Sequence, residues 1–369
     1  MNEKTRVAVL GCGAISEIYL KNLICLFREV DVIGVCDLDL CAAEKRQAEF
    51  SLPKCYRTYS DLLADDDVEV VLNLTNPLAH FETTVAAIAA GKNVYLEKPL
   101  ATTFKEALEL DRMANEAGVR LGCSPDTPLG AGIQTCRKLL DDGYIGRILG
   151  FSANLFKRGV EARRPNPDFL FKKGGGPLLD MGPYYLTALV QMAGPVTEVS
   201  GMWGISFPER TVTSQPGFGR IIKVDVPTYV NSLLRLESGA LGVFTATFDV
   251  YCANLPHLEI FGTDGTLSIP YPNDFNGPIR LFRREKGEFL EIPPLFGYGE
   301  NSRGLGLADM CKALRTGRPH RAGADIAVHV LEVIEAIQHG AVQKNHVAIT
   351  TRYERPAPMT PCGVPGILD

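Results

Sequence analysis

Three short clusters in this 369-residue sequence hold residues able to do chemistry beside a bound nucleotide. Gly11-Cys12-Gly13-Ala14-Ile15-Ser16 follows an apolar run, Val7 to Leu10. Glycines there let the backbone approach a pyrophosphate, and a helix starting at that point offers N–H donors and a partial positive charge. Ser16 stands where the fingerprint usually has its third glycine, and the bland alternative is a tight turn. Asp37 closes the next apolar run. Its carboxylate can accept hydrogen bonds from ribose hydroxyls and would repel a 2′-phosphate, which favours NAD over NADP; the alternative is an acid at a helix start. Glu97-Lys98-Pro99 closes a later run. A lysine beside bound cofactor can give a proton to a reacting oxygen. Pro99 confines Lys98 to extended backbone, which helps to aim it. An ordinary surface ion pair is the alternative.

The elements around these clusters alternate. Apolar runs at 7–10, 32–36, 68–74, 93–96 and 119–123 read as strands, and helical periodicity from Ala14 and over 40–50, 78–90 and 104–117 fills the gaps. Nearly continuous apolar strands alternating with amphipathic helices predict a doubly wound parallel sheet covered on both faces. Its ligands bind outside the carboxyl ends of the strands, where all three clusters fall. After residue 124 the texture changes. Helices are expected over 133–140 and 179–192. Extended segments at 196–206, 221–236, 240–250, 257–262, 265–270, 279–284 and 288–292 predict a large, open, mostly antiparallel sheet. Two helices, near 304–316 and 324–339, precede a Pro-rich tail. The expected division is a dinucleotide-binding domain over 1–124 and an α+β substrate-binding and oligomerisation domain over 125–369.

Lys and Arg total 38 against 43 Asp and Glu, a formal charge of −5. That excludes the basic stripe of a nucleic-acid binder. No apolar run approaches the roughly 18 residues of a membrane span. The N-terminus shows no signal-peptide pattern, so a cytoplasmic protein is expected. None of the ten cysteines forms a C-x-x-C pair, and they read as small buried hydrophobes. No histidine spacing implies a metal.

The glycine cluster, Thr75-Asn76-Pro77 with His80, and Glu97-Lys98-Pro99 together resemble the Gfo/Idh/MocA oxidoreductases, over almost the whole chain. The resemblance implies an N-terminal Rossmann domain, a C-terminal domain with an open sheet and a nicotinamide cofactor, NAD with NADP possible. It also implies that Gly11, Gly13, Ala14, Ile15, Asp37, Thr75, Asn76, His80 and Glu97 line the cofactor, with Lys98 at the reacting centre. Relatives commonly carry Asp, then His four residues later, on one helix. Here Asp180 is followed by Tyr184, and positions i and i+4 share a helix face. A phenol can still transfer a proton, although its ordinary pKa near ~10 requires help from Lys98. The expected activity is hydride transfer between nicotinamide and a secondary alcohol or ketone of a sugar, polyol or diol. Lys98, with Tyr184, shuttles the proton in this reading, and Asp180 orients the substrate or the lysine. The alternatives are a non-catalytic dinucleotide-binding regulator and a two-substrate enzyme with tightly bound NADP. The open sheet implies a homodimer or homotetramer.

Where relatives often show an Asn-Arg pair, this chain has Ser124-Pro125-Asp126-Thr127. Asp126 and Thr127 offer either substrate contacts or turn chemistry. Arg158, Arg163, Arg164 and Asn166 lie in a polar loop that carries either substrate contacts or only solvent, with Arg164 the favoured contact. Arg303-Gly304 looks like a structural return toward the cleft, with no chemistry assigned.

Overall fold

The computed structural model describes residues 4–163, 166–361, 366, 368 and 369. The first half runs β1 (Thr5–Leu10), α1 (Ser16–Cys25), β2 (Val30–Cys36), α2 (Leu40–Phe50), β3 (Lys54–Tyr56), α3 (Tyr59–Ala64), β4 (Val70–Asn73), α4 (His80–Ala89), β5 (Asn93–Leu96), α5 (Phe104–Ala117) and β6 (Leu121–Cys123). Its six strands are all parallel, in the order β3-β2-β1-β4-β5-β6. The order reverses between β1 and β4, so their carboxyl ends flank a ligand crevice. The strands are apolar because helices cover both faces: Val70, Val71 and Leu72 of β4 have no exposed surface. Local signals set the helix ends. Thr103 and Glu106 form a reciprocal cap on α5, and Gly118 ends it in the left-handed conformation. The short β3 and α3 lie where no element was expected. Leu78 and Ala79, expected to open a helix, belong to a separate 3-10 turn, Pro77–Ala79, before α4.

The second half runs α6 (Ala131–Asp141), β7 (Ile148–Phe156), α7 (Pro177–Asp180), α8 (Gly182–Ala193), β8 (Val196–Gly204), β9 (Glu209–Thr211), β10 (Ile221–Lys223), β11 (Tyr229–Leu236), β12 (Leu241–Thr247), β13 (Leu258–Gly262), β14 (Gly265–Ile269), β15 (Ile279–Arg283), β16 (Phe289–Ile292), α9 (Leu305–Thr316), α10 (Ala324–Gln343) and β17 (Val347–Ala348). Nine of these strands form one sheet, β16-β15-β14-β13-β7-β12-β11-β8-β17. All its pairings are antiparallel except β7 with β12. The central strand β7 falls in a stretch where no element was expected. The expected strand over 221–236 is two strands, interrupted before Tyr229 where Pro227 supplies no N–H. The expected helix over 179–192 is likewise two, divided at Met181.

The inner face of this sheet packs on α8 and α10, as in the stack of Tyr185 on Phe244. β11 alternates buried and exposed positions, as a strand with one covered face must. On the outer face Met202, Leu233 and Leu241 are more than half exposed. The chain's late segment returns to the first sheet. Leu305, Leu307 and Met310 of α9 share a core with Val7, Tyr19 and Tyr95. No helix among the described residues is long and apolar enough to cross a membrane. The nine described cysteines are free thiols. Cys25, Cys41 and Cys252 are exposed, against the expectation of burial.

Candidate active site

β1 delivers the chain into Gly11 at φ +100°, where an added Cβ would sit 2.7 Å from the Leu74 carbonyl carbon. Only glycine fits that left-handed, close approach to the β4 loop. Cys12 N–H donates to Asp37 Oδ2 at 2.6 Å, and Asp39 N–H to Oδ1 at 2.8 Å. Asp37 therefore shapes the glycine loop and also stands at the end of β2. Gly13 faces open space, and Ala14 and Ile15 are exposed at the mouth of α1. No side chain caps this helix, which leaves its positive end for an anion. Ser16, in the place of the third glycine, donates its hydroxyl to the Gly13 carbonyl at 2.7 Å. Thr75 and Asn76 follow β4 across the crevice, the Thr75 hydroxyl held by Asn73 at 2.7 Å. This uncapped helix end behind a glycine cradle fits a dinucleotide. The Cys12 thiol is pushed by burial and by Asp37 up to about 12, so it stays protonated.

β5 delivers Glu97 and Lys98. The Glu97 carboxylate accepts the Tyr19 hydroxyl at 2.7 Å and the Lys98 N–H at 3.0 Å. The Lys98 ammonium reaches into the second half of the chain. It donates to the Asp180 carbonyl at 2.6 Å and to Asp180 Oδ1 at 2.9 Å, and lies 5.4 Å from the centre of the Tyr184 ring. Asp180 ends α7 and Tyr184 lies in the first turn of α8, so the two meet the lysine across the break at Met181. Pro183 is tolerated in that first turn because it displaces no intrahelical donor. Burial works against the charge on Lys98, but Asp180, Tyr184 and Glu97 outweigh it and hold the ammonium above its ordinary value. Burial raises the Tyr184 phenol above its ordinary range, with Lys98 and Arg303 opposing. Both groups thus hold protons near neutrality.

Several expected contacts take other places. His80 was expected to line the cofactor. Its ring is wholly buried, with Nδ1 2.7 Å from the Pro99 carbonyl oxygen and Nε2 3.0 Å from that of Thr75. It has no surface to offer a cofactor and ties the β4 loop to the β5 loop instead. Asp126 and Thr127 were expected as substrate contacts, and both are buried. The Asp126 carboxylate accepts the Tyr95 hydroxyl and, at 2.5 Å, the Gly304 N–H. Burial pushes it up to about 6. Arg164 lies outside the described residues. Arg158 is stacked between Phe207 and Tyr251, 4.9 and 4.6 Å from their ring centres, a packing role for its cation.

Sequence reasoning passed over Tyr19 and Asn22, and gave Arg303 a return toward the cleft without chemistry; the fold brings all three to this site. Tyr19 on α1 bridges Glu97 and Ser124, at 2.7 and 2.8 Å. Asn22, one turn on, donates to the carbonyls of Asn301 and Arg303. The charge of Arg303 works against the rise of the Tyr184 phenol, and its side chain lines a cavity of about 260 Å³ with Asn273, Asn276 and Asn301. Tyr19 and Asn22 read as ordinary positions of an amphipathic helix. Arg303 is too far along the chain for any local pattern to tie it to β5. Among the described residues, no group of His, Cys, Asp and Glu is placed to hold a metal ion.

Comparison with known proteins agrees with this fold. Residues 5–124 match the oxidoreductase family with an NAD-binding Rossmann fold, and residues 133–268 match the GFO/IDH/MocA C-terminal domain. Trans-1,2-dihydrobenzene-1,2-diol dehydrogenase of Mus musculus is 29% identical over 273 residues, which cover 72% of this chain and 73% of that protein. Levoglucosan dehydrogenase of Pseudarthrobacter phenanthrenivorans is 25% identical over 353 residues, covering 86% and 89%. A solved structure of levoglucosan dehydrogenase with NADH and levoglucosan superposes with a TM-score of 0.81 at 21% identity, covering 94% of this chain and all of that one, and so shares the fold.

Proposed function

Because the chain belongs to the Gfo/Idh/MocA oxidoreductases and carries their NAD-binding Rossmann domain, we propose that it interconverts a secondary alcohol and a ketone on a sugar, polyol or cyclic diol, with Lys98 and Tyr184 handling the hydroxyl proton. The observation that carries this reading is the Lys98 ammonium, held by Asp180 at 2.9 Å and set over the Tyr184 ring at the carboxyl edge of the parallel sheet. NAD, when bound, supplies or takes the hydride. Gly11, Gly13, Ala14, Ile15, Thr75 and Asn76 are the residues to cradle it, with Asp37 toward the ribose. Asp180 fixes the lysine, and Tyr184 stands beside it as the proton carrier. Since both groups hold protons near neutrality, the site is set to donate toward a carbonyl oxygen. In the oxidative direction the same proton must leave through them, so that rate should rise with pH.

The names of the relatives set the test. Trans-1,2-dihydrobenzene-1,2-diol, levoglucosan and a set of simple sugars and polyols are assayed by reduced-cofactor absorbance with NAD and with NADP. Turnover of a secondary alcohol supports the reading; cofactor binding with no turnover on the whole panel overturns it. Asp37→Ala should shift preference toward NADP by roughly tenfold, the loss of one carboxylate that favours ribose over its phosphate. Unchanged preference would remove Asp37 from that role.

We also infer that a second copy of this chain covers the outer face of the nine-stranded sheet. The support is the exposed apolar set Met202, Trp203, Leu233 and Val243 around a groove of about 780 Å³, larger in character than the scattered apolar residues of a monomer surface. Leu233→Asp should convert a dimer or tetramer to a smaller species in light scattering. A wild-type monomer at micromolar concentration refutes the inference.

A further inference from the structure

Two loops of the second half of the chain enclose the cavity of about 260 Å³ that Arg303 lines. One follows β14. Its Phe275 carbonyl accepts the Gly132 N–H at 2.9 Å, and a Cβ added at Gly130 would sit 2.7 Å from the same oxygen, so this loop is packed tight against the start of α6. The other runs into α9, and Asn22 on α1 holds it by the Asn301 and Arg303 carbonyls, both at 2.8 Å. The Arg303 guanidinium joins the two: Nη1 donates to Asn301 Oδ1 at 2.7 Å and Nη2 to Asn273 Oδ1 at 2.8 Å. The walls are tied to the lysine site by two routes. Asn22 lies one turn beyond Tyr19, whose hydroxyl bonds to Glu97. Asn273 lies two residues beyond Tyr271, whose ring meets that of Tyr185, the neighbour of Tyr184, edge-on at 6.3 Å.

The walls specify a ligand. A complete small-molecule site takes roughly 300–1,000 Å³, so this cavity suits part of one. Asn276 Oδ1 is buried in its wall with no hydrogen-bond partner among the described residues, and an acceptor left so is costly until a donor reaches it. An ionised carboxylate has no proton to donate, whereas a hydroxyl has. Charge points the same way. Two carboxylates, Asp274 and Glu300, stand against the single Arg303, which disfavours an anion, while the guanidinium disfavours an ammonium. A neutral hydroxyl meets both conditions and can also accept from the asparagine amides. We propose that this cavity is a subsite for the uncharged, hydroxyl-bearing part of the substrate remote from the reacting carbon, and that Asn276 binds it by accepting a hydroxyl hydrogen bond on Oδ1. The inference rests on the chain being the secondary-alcohol dehydrogenase proposed above.

The test measures kcat and KM with levoglucosan, myo-inositol and D-glucose as neutral probes. trans-Cyclohexane-1,2-diol serves as a probe with nothing to place in the cavity, and D-glucuronate as one bearing a carboxylate. The best neutral probe should exceed the last two in kcat/KM by about tenfold or more. Asn276→Leu should raise its KM about tenfold, the loss of one hydrogen bond, with kcat within about twofold and NADH affinity, read by fluorescence, unchanged. On trans-cyclohexane-1,2-diol the same variant should lose no more than about threefold. Asn276→Asp, which keeps an acceptor, should recover most of the loss. Gly299→Ala, whose Cβ would stand 3.2 Å from Asn276 Nδ2, should raise the same KM about threefold by crowding. Should Asn276→Leu fail to fold, Gly299→Ala decides, and a native KM there overturns the proposal. An equal loss by Asn276→Leu on polyol and diol, a native KM, or D-glucuronate or the diol as the best substrate overturns it too. If no probe turns over, the dehydrogenase reading falls, and calorimetric titration of the three neutral probes into the NADH-bound protein judges the subsite alone. Binding that Asn276→Leu weakens about tenfold supports it; no binding, or binding that Asn276→Leu leaves unchanged, overturns it.

Discussion

Asp126 and Asp180 are two aspartates beside the carboxyl edge of one sheet, each near a tyrosine, and they do opposite things. Asp180 keeps about a quarter of its side-chain surface and faces an ammonium, so its charge is answered and remains open to the cleft. Asp126 is sealed, its oxygens taken by the Tyr95 hydroxyl and the Gly304 N–H. Burial pushes its carboxyl up to about 6. In the function proposed above the one belongs to the chemistry, whereas the other belongs to the joint that holds the Arg303 loop against the parallel sheet. Residue type does not separate them; the partner and the water do.

The largest break in this comparison comes from the open side. Lys98→Met removes the cation that orders Asp180 and Tyr184. Turnover should fall by about 10³-fold, within the range for losing a positioned proton-transfer group, with NAD affinity close to wild type in a binding titration. Near-native turnover would take Lys98 out of the mechanism. On the sealed side the loss should appear in stability instead. Asp126→Ala leaves the Tyr95 hydroxyl and the Gly304 N–H buried without an acceptor, at roughly 1–3 kcal/mol each. Chemical denaturation should show a loss of about 3 kcal/mol. Residual turnover of the folded fraction should drop far less than in Lys98→Met. Should Asp126→Ala instead be as stable as wild type and as inactive as Lys98→Met, the assignment of the two aspartates is reversed.

The same contrast explains what the sequence disclosed. The glycine loop was legible because Gly11 answers a local demand, a left-handed turn against the β4 loop. Lys98 was legible because a strand end and Pro99 fixed its place. The two-sheet architecture followed from apolar runs of distinct length and spacing. Strand β7 was not legible: its residues, Ile-Leu-Gly-Phe-Ser-Ala-Asn-Leu-Phe, mix small and polar side chains among the apolar ones and lack a β-branched run. His80 and Asp126 sit at the right edge for a ligand, but burial depends on Pro99, Tyr95 and Gly304 folding over them. Arg303 needed a loop clasped by Asn22, a contact between distant segments that no periodicity records.

The smallest expected effect discriminates most finely, because it reads the sealed carboxyl alone. The folded-state value near 6 lies above the ordinary 3.8 of an unfolded aspartate. Its contribution is therefore full below the unfolded value and is lost as pH rises through about 6. Between pH 7 and pH 5 the native state takes up a proton that the unfolded chain does not. That stabilises wild type by about 1 kcal/mol at pH 5 relative to pH 7 through this group. Asp126→Asn cannot take up that proton. The difference in Tm between wild type and Asp126→Asn should therefore move in favour of wild type as pH falls across this window. Parallel profiles for wild type and Asp126→Asn would mean that water reaches Asp126, and the distinction between the two aspartates would lose its physical basis.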